Sequence, residues 1–489
     1  MRAAGPARGR GSARGVAFAL ALGVACGCAA RGGVAGPDAC GGAPRVPSLH
    51  CVVAGPQYAA SAPHRWLLGA GYRDLWTAAV LVPVLELERA AGGLEPVERL
   101  GRGQSETLAL RGGDGRAYSF RSTDKDNRRA AGALGRLAPV AAAYRDQAAA
   151  GHPGAPLVAS VIARAAGVLE PERRLVVLAA TPRLARFDDF AGRLGTFEEH
   201  PTPAAPGRPG SFGALEVVRT EALLGLLEAD PRERADPRAY LRARLVDLVL
   251  GDADRHPGQW RFARLEPGGA WQPLPEDRDL ALARFDGLLL RVSRPWFPLL
   301  GVFDEHIDVD ALAAQAVVTD AWLLAPLARP AWREEAAAVQ ARLGPEVVER
   351  ALAALPPAWR ALDGARTARR LRARIAALAT AAETLYERLA REVDVHGSAA
   401  AERVVATAGA GGTRTLRVVA HGLPDPRFAR VVDLRETQRV RLCGFDARDA
   451  FAVEALEPID VVREPRCEPR DRPLVIEPPA SDSTAATLP

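Results

Sequence analysis

The spacing of apolar residues changes twice along this chain, and these changes most constrain its fold. Residues 94–128 contain short apolar runs separated by glycine turns, which indicates a β-meander. From Pro237 apolar residues recur at three- and four-residue spacing, and a helical pattern extends from Val309 to about Val395. Near residue 402 the period becomes two. The sequence therefore predicts an α+β chain with a β-rich first part, a helical second part and a small antiparallel β-domain at the end.

The length of 489 residues, with 48% hydrophobic and 25% charged residues, is typical of a multidomain globular protein. The net charge of +5 comes from arginines spread along the chain, with no dense basic run beside aromatics, so nucleic-acid binding is not favoured. We expect six segments: 1–28 a signal peptide, 29–50 a flexible linker, 51–200 an N-terminal lobe with an aromatic lead-in, 201–398 a helical C-terminal lobe, 399–467 the β-domain, and 468–489 a disordered tail.

The first 28 residues have the pattern of an export signal. Four arginines precede Val16, and the apolar run from Val16 to Ala25 is too short to span a bilayer. The tetrapeptide that ends at Cys26 resembles the cleavage box of a bacterial lipoprotein, and ordinary cleavage near Ala30 is the alternative. Both alternatives predict an exported chain, in the bacterial periplasm or as an outer-membrane lipoprotein.

Four later cysteines lie in two local pairs. Cys40 is close to Cys51 in sequence, and Cys443 is close to Cys467. Such pairs favour two disulfides in an oxidising compartment. Because neither pair has CxxC spacing and no histidine cluster accompanies them, we do not expect a zinc site.

Lys125 is the single lysine among 64 basic residues, and all the others are arginine. Arginine is a flat, permanently charged fork, whereas lysine is a compact point charge on a flexible stem. A surviving lysine suggests a position where arginine will not serve, such as one that binds nucleotide phosphates. The alternative is a chance survivor on a solvated loop.

Two acidic segments follow the predicted helix that ends at Gly251. In the first, Asp254 precedes Gln259 by five residues, and the second begins with Asp277 and contains Asp279. Phosphoryl transfer by kinases uses one carboxylate to orient the attacking hydroxyl, and an amide with a second carboxylate to bind magnesium. The spacing therefore favours Asp254 as the catalytic carboxylate, and Gln259 with Asp277, or less well Asp279, as metal ligands.

Two segments resemble the catalytic and metal-binding loops of the atypical kinase superfamily: Asp254-Arg255-His256-x-x-Gln259 and Asp277-Arg278-Asp279-Leu280-Ala281. That group includes HipA-type toxin kinases, type II phosphatidylinositol kinases, CotH spore-coat kinases and secretory-pathway casein kinases. The resemblance implies a two-lobed kinase-like domain and phosphoryl transfer from ATP with Mg²⁺ or Mn²⁺. The chain departs from the family pattern in having glutamine rather than asparagine in the first loop.

The resemblance also implies a role for each candidate residue. Asp254 would position the acceptor hydroxyl and help take its proton. Lys125, the second catalytic residue, would contact the nucleotide phosphates. Asp146 would be a possible carboxylate partner for Lys125, and Arg121 would occupy the strand position where kinases usually place lysine. The implied nucleotide-binding set is Lys125, Arg121, Gly101, Gly103, Gln104 and Asp146, and the implied metal set is Gln259, Asp277 and Asp279.

A second resemblance covers most of residues 52–455 and concerns uncharacterised bacterial cell-envelope proteins. The segments that carry it are Gly55-Pro56-Gln57-Tyr58, Tyr72-Arg73-Asp74-Leu75-Trp76-Thr77, Arg121-Ser122-Thr123-Asp124-Lys125-Asp126 and Leu442-Cys443-Gly444-Phe445-Asp446. It implies an envelope location, with membrane contact only through an N-terminal lipid anchor. It does not identify the acceptor or partner.

Two classes of function remain open on the sequence. An exported kinase is favoured by the presence of Asp254, Asp277 and Lys125 together. A catalytically inactive, kinase-like envelope module that binds a partner is favoured by the scarcity of ATP outside the cytoplasm. A metallophosphoesterase is a weaker third alternative, because the histidine and asparagine motifs of a two-metal site are missing from the sequence.

Overall fold

The computed structural model describes residues 40, 48–100, 106–126, 128 and 136–467. A large β-sheet dominates the first part of the chain, helices dominate the second, and two small sheets follow. The predicted α+β class is therefore confirmed, with its β-rich, helical and terminal β parts in the predicted order.

Within the described residues, the strands are β1 (Leu49–Val53), β2 (Ala79–Leu85), β3 (Leu94–Leu100), β4 (Thr107–Gly112), β5 (Ala117–Ser122), β6 (Arg174–Leu178), β7 (Leu194–Glu199), β8 (Glu216–Arg219), β9 (Trp260–Arg264), β10 (Gln272–Pro275), β11 (Glu392–His396), β12 (Glu402–Ala408), β13 (Thr413–Ala420), β14 (Phe428–Asp433), β15 (Arg439–Cys443), β16 (Ala450–Ala452) and β17 (Asp460–Glu464). The α-helices are α1 (Ala62–Leu68), α2 (Arg73–Thr77), α3 (Ala138–Asp146), α4 (Ala155–Ala166), α5 (Thr220–Ala229), α6 (Pro237–Leu250), α7 (Leu288–Ser293), α8 (Val309–Ala313), α9 (Val317–Leu323), α10 (Arg329–Arg342), α11 (Pro345–Ala353), α12 (Pro357–Trp359) and α13 (Ala365–Ala390).

The large sheet has the strand order β1-β2-β6-β7-β5-β4-β3. Strands β3, β4 and β5 form the predicted antiparallel meander, and β5 continues the antiparallel pairing to β7. Arg121 lies opposite Thr196 in that register, one residue before β5 ends. The pairing of β5 in the middle of the sheet fixes the position from which Arg121 and the following Lys125 extend.

Helix α6 is the buried centre of the helical part, and its bounds agree with the predicted helix. Asp236 caps its first turn by accepting from the Ala239 N–H at 2.9 Å, and Pro237 follows at the position where its missing N–H costs nothing. Gly251 ends the helix with a left-handed φ of 67°, which glycine adopts without strain. The chain then enters the acidic loop that begins at Asp252.

Two helical predictions are wrong in their extent. The expected helical run to Val395 stops at Ala390, and β11 follows from Glu392. Val393 and Val395 alternate into an apolar core, so strand pairing wins over continuation of the helix. The sequence also predicts a helix over the Ala-rich residues 129–150; in the described part of this segment the α-helix covers Ala138–Asp146 and ends there, and a 3₁₀ turn follows.

The predicted β-domain is present as two sheets. One has the order β14-β13-β12-β16 and is antiparallel except for the β12–β16 pair. The other, β11-β15-β17, is entirely parallel, and its first strand precedes the predicted boundary at residue 399. Both disulfides predicted from the cysteine pairs are present, Cys40–Cys51 and Cys443–Cys467.

Several predicted segments lie outside the described residues. These are the signal at 1–28, most of the linker at 29–50, and the tail at 468–489. Among the helices that the structure does describe, none is long and apolar enough to cross a membrane.

Candidate functional site

The loop after α6 brings Asp254 and Gln259 together. A short 3₁₀ turn covers Pro257–Gln259, and the His256 Nδ1 accepts from the Gly258 N–H at 3.1 Å to begin that turn. The turn places the Gln259 Nε2 3.3 Å from Asp254 Oδ2. A carboxylate and an amide five residues apart in the sequence are therefore neighbours in space.

The loop after β10 brings Asp277 and Asp279 together. The Asp277 side chain accepts from the Asp279 N–H at 3.0 Å, and Asp277 has a left-handed φ of 39°. That conformation costs a non-glycine residue roughly 1–3 kcal/mol and is found mainly at functional sites. The Glu276 N–H donates to the Gln259 carbonyl at 2.9 Å, so the two acidic loops lie side by side.

Arg255 binds one acidic loop to the other. Its guanidinium contacts Asp252 at 2.8 Å within its own loop, the Glu276 carbonyl at 3.1 Å, and the Asp277 carbonyl. The Arg255 side chain is almost fully buried. Since charged hydrogen bonds in a buried place are strong and directional, Arg255 fixes the backbone that carries Asp277.

Arg278 extends the same network into the core. It forms ion pairs with Asp247 of α6, with Asp252 at 3.5 Å and with Glu170 at 3.4 Å, and all four side chains are fully buried. Arg173 then connects Glu170 to Glu198 of β7. A continuous line of buried charges therefore joins the large sheet to both acidic loops.

The large sheet contributes two cations to the same place. The Arg121 Nη1 lies 2.7 Å from the Asp277 Oδ2, and Lys125 Nζ forms an ion pair with Asp279. About a fifth of the Lys125 side chain is exposed, so it lies in a recess and not on an open loop. Arg145 of α3 donates to the Lys125 carbonyl at 2.7 Å and holds that segment.

These charges shift the pKa values of three groups. Burial alone would raise the pKa of Asp277, but Arg121, Lys125 and Arg255 outweigh it and lower that pKa to about 2. Burial lowers the pKa of Lys125 below its usual range. Burial raises the pKa of Asp254, and the nearby charges of Asp252 and Asp277 raise it further, whereas His256 and Arg255 act in the opposite direction. At neutral pH Asp277 is therefore a carboxylate, and Asp254 is a stronger base than an ordinary aspartate.

The predicted pairing of Lys125 with Asp146 is wrong. Asp146 instead accepts from Arg73 at 2.8 and 2.6 Å and from His64 at 3.0 Å. Arg73 is buried in the aromatic lead-in and pairs with the Asp146 carboxylate, while Lys125 pairs with Asp279 in the loop after β10. The predicted phosphate-covering turn of Gly101, Gly103 and Gln104 lies outside the described residues.

Sequence reasoning did not single out the residues that hold the site together. Arg278 lies within the quoted Asp-Arg-Asp segment, but nothing in its spacing distinguishes it from a solvated arginine. Its partners Glu170 and Asp247 come from segments 108 and 31 residues away, and Arg145 reaches Lys125 across 20 residues. The one clue in the sequence was the position of Arg278 between two predicted ligands, Asp277 and Asp279.

The side chains at this site fit a divalent cation. Asp277 and Asp279 offer ionisable oxygens, and Gln259 uses its Nε2 toward Asp254, which leaves its amide oxygen as the atom able to bind a cation. Carboxylate and amide oxygens are the donors that Mg²⁺ prefers. The low pKa of Asp277 keeps this candidate ligand ionised throughout the physiological range.

A separate cavity of about 650 Å³ lies between β2, β6 and the segment Ala354–Pro356. It contains none of the candidate residues, and apolar side chains such as Leu81, Leu157 and Leu355 form much of its lining. Because the convergent carboxylates and cations are elsewhere, we place the candidate site at the acidic loops.

Comparison with known proteins yields no family: no protein-family model and no curated protein matches the chain. Among solved structures, the chain is similar to the proinflammatory kinase CtkA of Helicobacter pylori, with a TM-score of 0.32 and 12% identity over 60% of this chain and 96% of that one. It is also similar to a chain of the Shewanella oneidensis MR-1 toxin–antitoxin complex of HipA, HipB and operator DNA, with a TM-score of 0.33 and 14% identity over 63% of this chain and 77% of that one. Scores of this size define neither the fold nor the activity of this chain, so a functional proposal depends on the site itself.

Proposed function

We propose that this chain is a metal-dependent phosphotransferase that moves a phosphoryl group from a nucleotide to an acceptor hydroxyl. The observation that carries the proposal is the convergence of three chain segments on one recess. Asp254 follows α6, Asp277 and Asp279 follow β10, and Lys125 follows the third strand of the meander. Kinases use these residue types from the corresponding parts of their lobes.

Each side chain has a distinct task in the proposed reaction. Asp254 orients the acceptor hydroxyl and accepts its proton, for which its raised pKa is an advantage. Lys125 and Arg121 bring positive charge to the phosphate oxygens. Gln259, Asp277 and Asp279 hold Mg²⁺ or Mn²⁺, which would neutralise charge on a bound nucleotide such as ATP.

The proposal is tested by incubating the full chain with ATP and either Mg²⁺ or Mn²⁺ and measuring ADP release and transfer of labelled γ-phosphate to the protein itself. Asp254→Asn should lower the rate by about 100-fold or more, because general base catalysis supplies roughly that factor. Asp446→Asn, at an exposed carboxylate paired with Arg448, is the control and should react like the wild type. A wild-type rate equal to that of Asp254→Asn with both metals would refute the activity.

An inactive, kinase-like binding module is the second candidate. The observation in its favour is that Arg121 and Lys125 are already paired with Asp277 and Asp279, so the charges needed for phosphate and metal neutralise each other. A module of this kind would show no ADP release while still binding its envelope partner through the recess or the terminal β-sheets.

Export to the cell envelope belongs to the same proposal. Support comes from the two disulfides, which persist in oxidising compartments, and from the apolar segment that precedes Cys26. Expression in a Gram-negative host with labelled palmitate and cell fractionation tests this. Label on the wild type and none on Cys26→Ser would support the lipoprotein, and protein found only in the cytoplasm would contradict export.

A further inference from the structure

The parallel sheet at the end of the chain brings together side chains from three strand ends. His396, Cys443 and Glu464 are the last residues of β11, β15 and β17, and they lie side by side in register. Cys467 follows three residues later and forms the disulfide with Cys443. Residues in register on neighbouring strands point to the same face, so the His396 ring and the Cys443 sulfur share one side of the sheet.

The potential ligand atoms of His396, Cys443 and Cys467 all lie within 4.8 Å of one another. Two contacts fix the histidine: its ring stacks on Trp322 at 3.6 Å with an interplanar angle of 2°, and its carbonyl accepts from Arg427 at 2.7 Å. Cys443 is 1% exposed. The donors are therefore preorganised by the sheet and are close enough for one small ion to contact all three after a modest separation of the sulfurs.

We propose that His396, Cys443 and Cys467 form a zinc site whenever the Cys443–Cys467 disulfide is reduced. A dithiol supplies the electron pair: the sulfur–sulfur bond breaks, the dithiol becomes a cyclic disulfide, and each cysteine gains a proton. Both thiols lose that proton on binding Zn²⁺, so two protons are released per ion bound. One imidazole and two thiolates are typical zinc donors, and the fourth position stays open to water or another ligand.

The sequence, with no histidine cluster near the cysteines, predicted no zinc site, but in the structure one histidine, His396, lies beside Cys443 and Cys467. His396 is 47 residues before Cys443, a separation that no local zinc motif would reveal, and only the parallel pairing of β11 with β15 brings them together. The disulfide and the metal site exclude each other because both use the same two sulfurs. Metal binding by the terminal β-sheets is therefore controlled by the redox state.

The test uses the full chain with Cys26, Cys28, Cys40 and Cys51 replaced by serine, so that only the proposed cysteines remain. After reduction with a phosphine, Co²⁺ is titrated, and thiolate-to-cobalt charge-transfer absorption is recorded. We expect one Co²⁺ per chain, displaced by Zn²⁺, and no binding by the oxidised chain.

Two variants make the result specific to the proposed ligands. His396→Ala removes a ligand and should weaken Co²⁺ binding by at least the roughly 10- to 100-fold that loss of an outer-shell partner costs. Cys467→Ser should abolish the charge-transfer band of a site with two thiolates. His421→Ala, at an exposed histidine of the same region, is the control and should leave Co²⁺ binding unchanged. Absence of Co²⁺ binding by the reduced chain, or equal affinity in His396→Ala, would overturn the proposal.

Discussion

The Arg121 guanidinium lies 2.7 Å from the carboxylate of Asp277, which joins β5 of the large sheet directly to the loop after β10. The neighbouring pair of Lys125 and Asp279 makes a second connection. Because these cations come from the sheet and the carboxylates come from the helical part, any ligand that binds between them must exchange these ion pairs for its own contacts. In the absence of a ligand, the two cations and the two carboxylates therefore neutralise each other.

Replacing Lys125 by methionine should lower kcat/KM for ATP by about 100-fold or more, because one donor to the developing charge is lost. Lys125→Arg should recover little of this, since the recess beside Asp279 holds a compact ammonium and not a planar fork. Arg128→Met, at an exposed cation nearby, is the matched control. Full activity of Lys125→Arg would mean that the single lysine is a chance survivor.

Arg278→Met should destabilise the chain by about 3–5 kcal/mol. The reason is that three buried carboxylates, those of Asp247, Asp252 and Glu170, would lose a shared cation, and an uncompensated buried charge carries a penalty of this size. Urea unfolding measures the change, with Arg232→Met at an exposed ion pair as the reference. A difference below about 1 kcal/mol between the free energies of unfolding of the two variants would show that the buried network contributes little to stability.

The acidic limb of the kcat/KM–pH profile should lie above the ordinary aspartate pKa of about 3.9, because Asp254 must be ionised to accept a proton and its pKa is raised by burial. Because His256 lowers the pKa of Asp254, His256→Ala should move that limb to higher pH. Removing the negative charge in Asp252→Asn should move it to lower pH. Movement in the same direction for both variants would exclude Asp254 as the titrating group.

Stability should fall as the pH drops from about 6.5 to about 4, in part through His152. Burial lowers the pKa of His152 to about 4, and its Nδ1 accepts from the Gly154 N–H at 3.0 Å. A base whose pKa is lower in the folded state binds its proton more readily when the chain is unfolded. Protonation therefore favours the unfolded state, and the free energy of unfolding falls between about pH 6.5 and pH 4. His152→Asn keeps an acceptor but does not titrate, and it should remove on the order of 3 kcal/mol of the pH dependence. Parallel unfolding curves for wild type and variant across pH would contradict this.

Local patterns predicted much of the fold. The bounds of α6 followed from the apolar spacing that begins at Pro237 and from the helix end at Gly251. The parallel sheet β11-β15-β17 was missed because its short strands are recognised only through pairing with distant segments. Val393 and Val395 fit either a helix or a strand until that pairing is known.

The candidate site was predicted in its parts but not in its connections. The spacing of Asp254 and Gln259 indicated that both belong to one candidate loop, and the structure adds their hydrogen bond at 3.3 Å. The partner of Lys125, Asp279, is 154 residues further on, whereas the predicted partner, Asp146, pairs with Arg73. Which carboxylate pairs with which cation depends on tertiary packing.

The central claim is that the recess between Lys125 and Asp277 binds a nucleotide together with a divalent cation. Its most direct test is a thermal unfolding titration of the full chain with ATP and Mg²⁺ or Mn²⁺, because a ligand that binds only the folded state raises the midpoint with concentration. We predict a metal-dependent rise in the wild type that disappears in Asp277→Asn and persists in Asp433→Asn, whose carboxylate also has a pKa of about 2 but lies in the terminal β-sheets. An unchanged midpoint at millimolar ATP and metal, or an equal rise in Asp277→Asn, would contradict the claim.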